Sequence, residues 1–263
     1  MSAVSLALTD SATMLRRRLR HFIRYPSMSV QLVGMPIIFL LLFVYVFGGT
    51  LGEGLTGVSG GRDAYLDYVT PGIILMSVAA TAQGTAISAA MDMTEGIIAR
   101  FRTMAISRAS VLTGHVLAAM IQTLLSVAVV VGVAVLLGFR PSASVVEWLA
   151  VAGVVAMVAF ALTWLTVALG LVSDTVEAAS NMPLPLIFLP FLGSGFVPTE
   201  SMPAGLRWFA EYQPFTPIIE TLRGLLTGTH IGNDAAISAA WCAGIALLGY
   251  LWAKKLYNRD PSR

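Results

Sequence analysis

The chain has 263 residues, of which 57% are hydrophobic and 11% charged, against about 25% charged in an average soluble domain. So little charge cannot cover a water-soluble globule of this length, which excludes that class and makes lipid the solvent for much of the surface. The net charge of +2 is unevenly spread, with Arg16, Arg17, Arg18, Arg20 and Arg24 near one end and Lys254, Lys255, Arg259 and Arg263 near the other.

In chain order, residues 10–25 alternate Leu15, Leu19, Phe22 and Ile23 with arginines, the pattern of a basic amphipathic helix on the inner leaflet. The basic run is read as part of the mature chain rather than a secretory signal. The apolar stretch behind it is too long, and no small-residue cleavage site closes it. The first apolar run is Met28 to Phe47, followed by a Gly-rich and therefore flexible external loop, Gly48 to Asp67. Further runs are Tyr68 to Met91, Val111 to Phe139 and Val145 to Val172, each long enough to span the hydrocarbon as a helix. Val176 to Phe196 is the least regular, because Pro183, Pro185 and Pro190 each remove a backbone donor and kink or divide a helix.

Val197 to Thr229 carries four more prolines with Trp208, Phe209, Tyr212 and Phe215, which suits short helices at interface depth. The last run is Ala235 to Ala253. The domain reading is therefore a cytoplasmic terminus over 1–27, a membrane domain over 28–253 and a cytoplasmic tail over 254–263. The fold class is an all-α integral membrane protein of about six transmembrane helices. It has an N-terminal amphipathic helix and short external re-entrant helices between the last two spans. With both termini inside, twelve basic residues lie inside and four outside, namely Arg62, Arg140, Arg207 and Arg223. That places the chain in the cell membrane, multi-pass, with cytoplasmic ends.

Chemistry is sparse. The only lysines are Lys254 and Lys255, and neither follows a Gly-rich phosphate loop, so nucleotide hydrolysis would need another chain. Ser, His and Asp are nowhere grouped as in a nucleophile elbow, and Cys242, the single cysteine, leaves no disulfide or thiolate cluster. The loop Asp92 to Thr103 sets Glu95, Arg100 and Arg102 around Phe101. It reads either as a charged loop obeying the positive-inside rule or as a docking element for a soluble motor. Gln83, His115, Gln122 and Asn181 are polar groups within or beside apolar runs, serving either as glue between helices or as contacts along a path. Glu211, Glu220, Arg207 and Arg223 are either solvated external charge or, through Glu220 and Arg223 three apart, a pair bracing an external gate.

Four stretches carry a resemblance. RFRTMAISRASVLTGHVLA (100–118), RYPSMSVQLVGMPIIFLLLFVYVFGG (24–49), YLDYVTPGIILMSVA (65–79) and FVPTESMPAGLRWFAEYQPFTPIIETLRGLLTG (196–228) resemble the ABC type-2 permeases of the daunorubicin-resistance exporter group. The resemblance implies a permease moving amphipathic drugs or lipid-like compounds outward. Its partners would be a separate ATPase dimer carrying ATP and Mg, a second permease chain, identical or related, and membrane lipid, with no nucleic acid and no cofactor on this chain. It implies coupling through Glu95, Arg100, Phe101 and Arg102, a path past Met76, Gln83, Asn181 and Phe188, and an external gate at Glu211, Glu220 and Arg223. The rival classes are a proton-driven transporter, which would want a carboxylate well inside a span, and a structural membrane subunit.

Overall fold

The computed structural model describes residues 26–56, 61–94 and 108–257, and every regular element among them is helical. Helix α1, Pro26–Leu42, passes through a wider π-helical stretch, Phe43–Phe47, into α2, Gly48–Thr56. Helices α3, Gly61–Thr94, α4, Arg108–Leu136, and α5, Val145–Val172, are long. A divided segment follows, with α6, Val176–Asn181, α7, Leu184–Phe188, and a 3-10 turn, Leu189–Leu192. Helices α8, Ala204–Tyr212, α9, Phe215–Thr227, and α10, Asp234–Tyr257, complete the described chain.

Five stretches are long and apolar enough to cross a membrane: Val33–Gly54, Gly61–Thr94, Val116–Leu136, Val145–Val172 and Asp234–Leu256. They correspond to five of the expected spans. The remaining one, 176–196, is a shorter apolar stretch, Val176–Leu192, divided as its prolines require.

One expectation is corrected for the described residues. Within the Gly-rich stretch, Gly48–Thr56 is helix rather than loop, continuing the first span, and α3 already begins at Gly61. Two of its glycines serve close approach: a Cβ on Gly52 would run into the backbone of Gly61, and Arg62 packs against Gly48 and over the Tyr45 ring, 4.9 Å from its centroid.

Helix α3 is the axis of the bundle. Its most apolar window is 83% buried, against 17% to 39% for the other four spans. Lipid is as apolar as Leu, so helices in a membrane gain little from hydrophobic burial and associate through close packing and hydrogen bonds. The sequence of α3 fits that demand, with small residues such as Gly72, Ala79, Ala82, Ala86 and Ala89 along its length. Gly170 of α5 sits against Ala86 and Ala89, where a larger side chain would overlap the α3 backbone. Ser77 of α3 bonds Ser126 of α4 at 2.9 Å, and Thr70, Thr81 and Thr85 return their hydroxyls to carbonyls one turn earlier.

Helix α10 packs chiefly on α5, where Gly249 meets the Trp164–Leu165 backbone and Trp164 meets Tyr250 edge-on at 5.0 Å. Ser144 caps α5 in a reciprocal box with Glu147, whose carboxylate accepts from the Ser144 amide at 2.6 Å. The outward faces of α1, α4 and α10 are apolar, exposing Ile38, Val46, Leu125, Leu136, Leu248 and Leu251 as lipid requires.

Candidate functional site: the divided segment and its ties

Three prolines interrupt Val176–Leu192, and each break leaves carbonyls without a helical partner. In hydrocarbon an unmet backbone group costs several kcal/mol, so irregular backbone survives there only against protein or a water-filled path. Side chains from neighbouring helices meet this demand. Gln83 of α3 donates to the Ser180 carbonyl at 2.6 Å, Gln213 to that of Leu189 at 3.2 Å, Arg223 of α9 to that of Ser194 at 2.7 Å, and Tyr65 of α3 to that of Phe196 at 3.2 Å.

These ties give the segment a direction. Residue 180 lies beside Gln83, Gly195 beside Gly72 and Phe196 beside Tyr65, so the chain runs antiparallel to α3. Gln83 and Tyr65 are eighteen residues apart on α3, or about 27 Å at 1.5 Å per residue.

The turn at 193–196 seats directly on α3. A Cβ on Gly72 would lie 2.6 Å from the Gly195 carbonyl oxygen, so only glycine lets the two backbones meet. The Phe191 and Phe196 rings stack in parallel at 4.1 Å across the turn, and Phe39 of α1 and Phe43 of the π-helical stretch close over them at 5.5 and 4.6 Å.

Arg223 is the strongest tie. It is buried, ion-paired to Glu220, bonded to the Ser194 and Tyr68 carbonyls, and its guanidinium carbon lies 3.9 Å from the Tyr68 ring centroid. The pair and the cation–π contact offset the desolvation of the charge. The α9 helix that carries it ends at Gly228, whose left-handed φ of 76° closes the last turn by a bond to Gly224. The Ser142 amide bonds the Leu226 carbonyl at 3.0 Å, fixing α9 to the α4–α5 connection.

The ABC-2 type transporter family model matches residues 10–227. The chain belongs to the ABC-2 type transporter family. A daunorubicin resistance ABC transporter permease protein, DrrB1, of Streptomyces coeruleorubidus is 27% identical over 257 residues, covering 97% of this chain and 88% of the relative. A probable doxorubicin resistance ABC transporter permease protein, DrrC, of Mycobacterium tuberculosis is 25% identical over 247 residues, covering 94% of this chain and 87% of the relative. As an ABC-2 protein the chain is a multi-pass membrane subunit of an ABC exporter, and neither a proton-driven carrier nor a purely structural subunit is favoured.

The ABC-2 fold distributes the residues singled out in the sequence as follows. Glu95, Arg100, Phe101 and Arg102, and the amphipathic stretch 10–25, lie outside the described residues. Gln83 reaches the divided segment beside Asn181, which is exposed, and Phe188 is exposed on α7. Met76 is buried within the α3 core, away from any open surface of the single chain. Glu220 and Arg223 are brought together, whereas Glu211 pairs with Arg207 at 2.7 Å on the outer face of α8. The hydrogen bond and the charge of Glu211 raise the Arg207 pKa.

Tyr65, Tyr68, Gly72, Ser194, Gln213 and Thr216 were not foreseen as part of the site. The available signal was the glycine pair at 193 and 195 inside a proline-flanked apolar stretch, which marks a close backbone approach but not its partner. Among the described residues no cluster of acids, histidines or cysteine is arranged to hold a metal.

Proposed function

We propose that this chain is the permease half of an ATP-driven exporter that moves amphipathic drug-like or lipid-like compounds from the inner leaflet outward. ATP and Mg sit on a separate ATPase dimer, and two permease chains, identical or related, meet about a two-fold axis. The observation that carries the reading is the divided segment. It is backbone interrupted at membrane depth, tied to α3 and α9 by exchangeable side-chain bonds rather than by a helical ladder. Such a segment can shift by exchanging a few bonds, where a continuous helix would have to break.

On this reading the segment is the sixth crossing, which returns both termini to the cytoplasm and agrees with the twelve-to-four distribution of basic residues. ATP-driven closure of the partner reaches the membrane through Glu95, Arg100, Phe101 and Arg102. Gln83, Asn181 and Phe188 form one wall of the path, and Met76 joins it when α3 and the segment part. The Glu220–Arg223 pair holds the external gate shut against Ser194 and Tyr68, with Glu211 at its outer rim.

The relatives are named for resistance to daunorubicin and doxorubicin, so daunorubicin is the first probe. In inverted membrane vesicles holding this chain and its ATPase, daunorubicin should accumulate on addition of ATP and persist when a proton uncoupler is present. Accumulation abolished by the uncoupler while ATP remains would contradict the reading.

A further inference from the structure

Between α8 and α9 lies a small polar knot centred on Gln213. Its Nε2 donates to the Leu189 carbonyl at 3.2 Å, at the end of the divided segment, and to the Thr216 hydroxyl at 3.3 Å. Its Oε1 accepts from the Phe215 amide at the start of α9. Thr216 passes its own hydroxyl proton to the Ala210 carbonyl in the last turn of α8 at 2.5 Å. Two buried side chains therefore join three pieces of chain that share no helix.

The fit is tight on the fourth side as well. Gly193 leaves no room for a Cβ, which would lie 2.7 Å from the Thr216 hydroxyl and nearer still to the Gln213 amide. Helix α8 otherwise touches little: Leu206, Trp208, Phe209 and Tyr212 are all exposed, and Ala210 is its one buried residue. The knot is thus the main polar link between the exposed helix and the interior.

We infer that Gln213, with Thr216, is a positioning pair for transport, obliging α8 and the divided segment to move as one body when the external side opens. The physical reason is the cost of separation. Pulling Leu189 from α8 leaves buried amide and carbonyl groups unpaired, whereas moving the two together with the start of α9 keeps the bonds of the knot. This deepens the exporter reading and rests on it.

The test uses the complex with its ATPase in lipid nanodiscs and needs no knowledge of the cargo. Spin labels go on G205C of α8, L192C of the divided segment and G244C of α10, in a C242A background. The two glycines are exposed with open space at the Cβ, and Leu192 is exposed. Between the nucleotide-free and ATP–vanadate states, the 205–244 and 192–244 distances should change together while 205–192 stays constant. In T216V, and independently in Q213L, the 205–192 distribution should broaden and the two changes should separate. T216S, which keeps the hydroxyl, should behave as the wild type. A 205–192 distance that changes with nucleotide in the wild type, labels that stay still in a complex that hydrolyses ATP, or a T216V variant that behaves as the wild type would each overturn the inference. A complex without ATPase activity contradicts the exporter reading instead.

Discussion

Arg223 carries a charge into the packed interior and there replaces a missing piece of helix. Substituting it by Met keeps much of the side-chain volume but strands Glu220 and leaves the Ser194 and Tyr68 carbonyls without their donor. The pair is only part-buried, so the cost lies mainly in the carbonyls left without a donor, about 1–3 kcal/mol. R223M should therefore lower the unfolding midpoint of the detergent-purified protein, while R223K, which retains charge but not the fork, should lie between it and the wild type. Equal midpoints for all three would show that the tie contributes nothing. Gly72 makes a complementary case, since the methyl of G72A would meet the Gly195 backbone. Overpacking of that kind costs about 1–3 kcal/mol, and the same melting experiment reads it. The Glu220–Arg223 spacing of three was legible in the sequence because helical neighbours recur at that interval. The carbonyls that Arg223 and Tyr65 serve were not, because they lie 29 and 131 residues away and follow from tertiary packing alone.

At the scale of elements, five of the apolar runs read from the sequence overlap helices long and apolar enough to cross a membrane, and only helices satisfy their own backbone in lipid. Run length misjudged their outer ends. Gly48–Thr56 and the first turns of α3, with Arg62 and Asp63, look like loop by composition yet continue the helices past the apolar core. Helix there is favoured by the contact of Gly52 with Gly61, which no local pattern announces. The prolines of 176–196 signalled a division, and the structure shows the device that makes it tolerable: four carbonyls served from α3, α9 and the α8–α9 junction. Replacing Pro183 and Pro185 by Ala restores the missing amides and should fuse α6 with α7. Because a straight helix cannot meet all those ties, drug accumulation in inverted vesicles should fall several-fold at unchanged expression. Full transport would count against the division having a role in gating.

The described bundle is built around α3, which touches the divided segment along one side and ends at Thr94, next in sequence to Glu95, Arg100, Phe101 and Arg102, which lie outside the described residues. A force applied at the Thr94 end of α3 would reach Gln83, Gly72 and Tyr65 through one helix, 34 residues long. On the exporter reading daunorubicin stimulates the partner ATPase, and reversing the charges in R100E/R102E should weaken that stimulation while leaving the chain inserted in the membrane at normal abundance. Undiminished stimulation would remove those arginines from the coupling route. On the proposed reading this membrane chain works with an ATPase on a separate polypeptide. Purification of the tagged chain in mild detergent, with identification of what accompanies it and assay of ATP hydrolysis in the eluate, tests this. An ATP-binding protein in equal amount, with hydrolysis in the eluate, is expected; a chain that purifies alone, with no nucleotide dependence, would contradict the exporter reading.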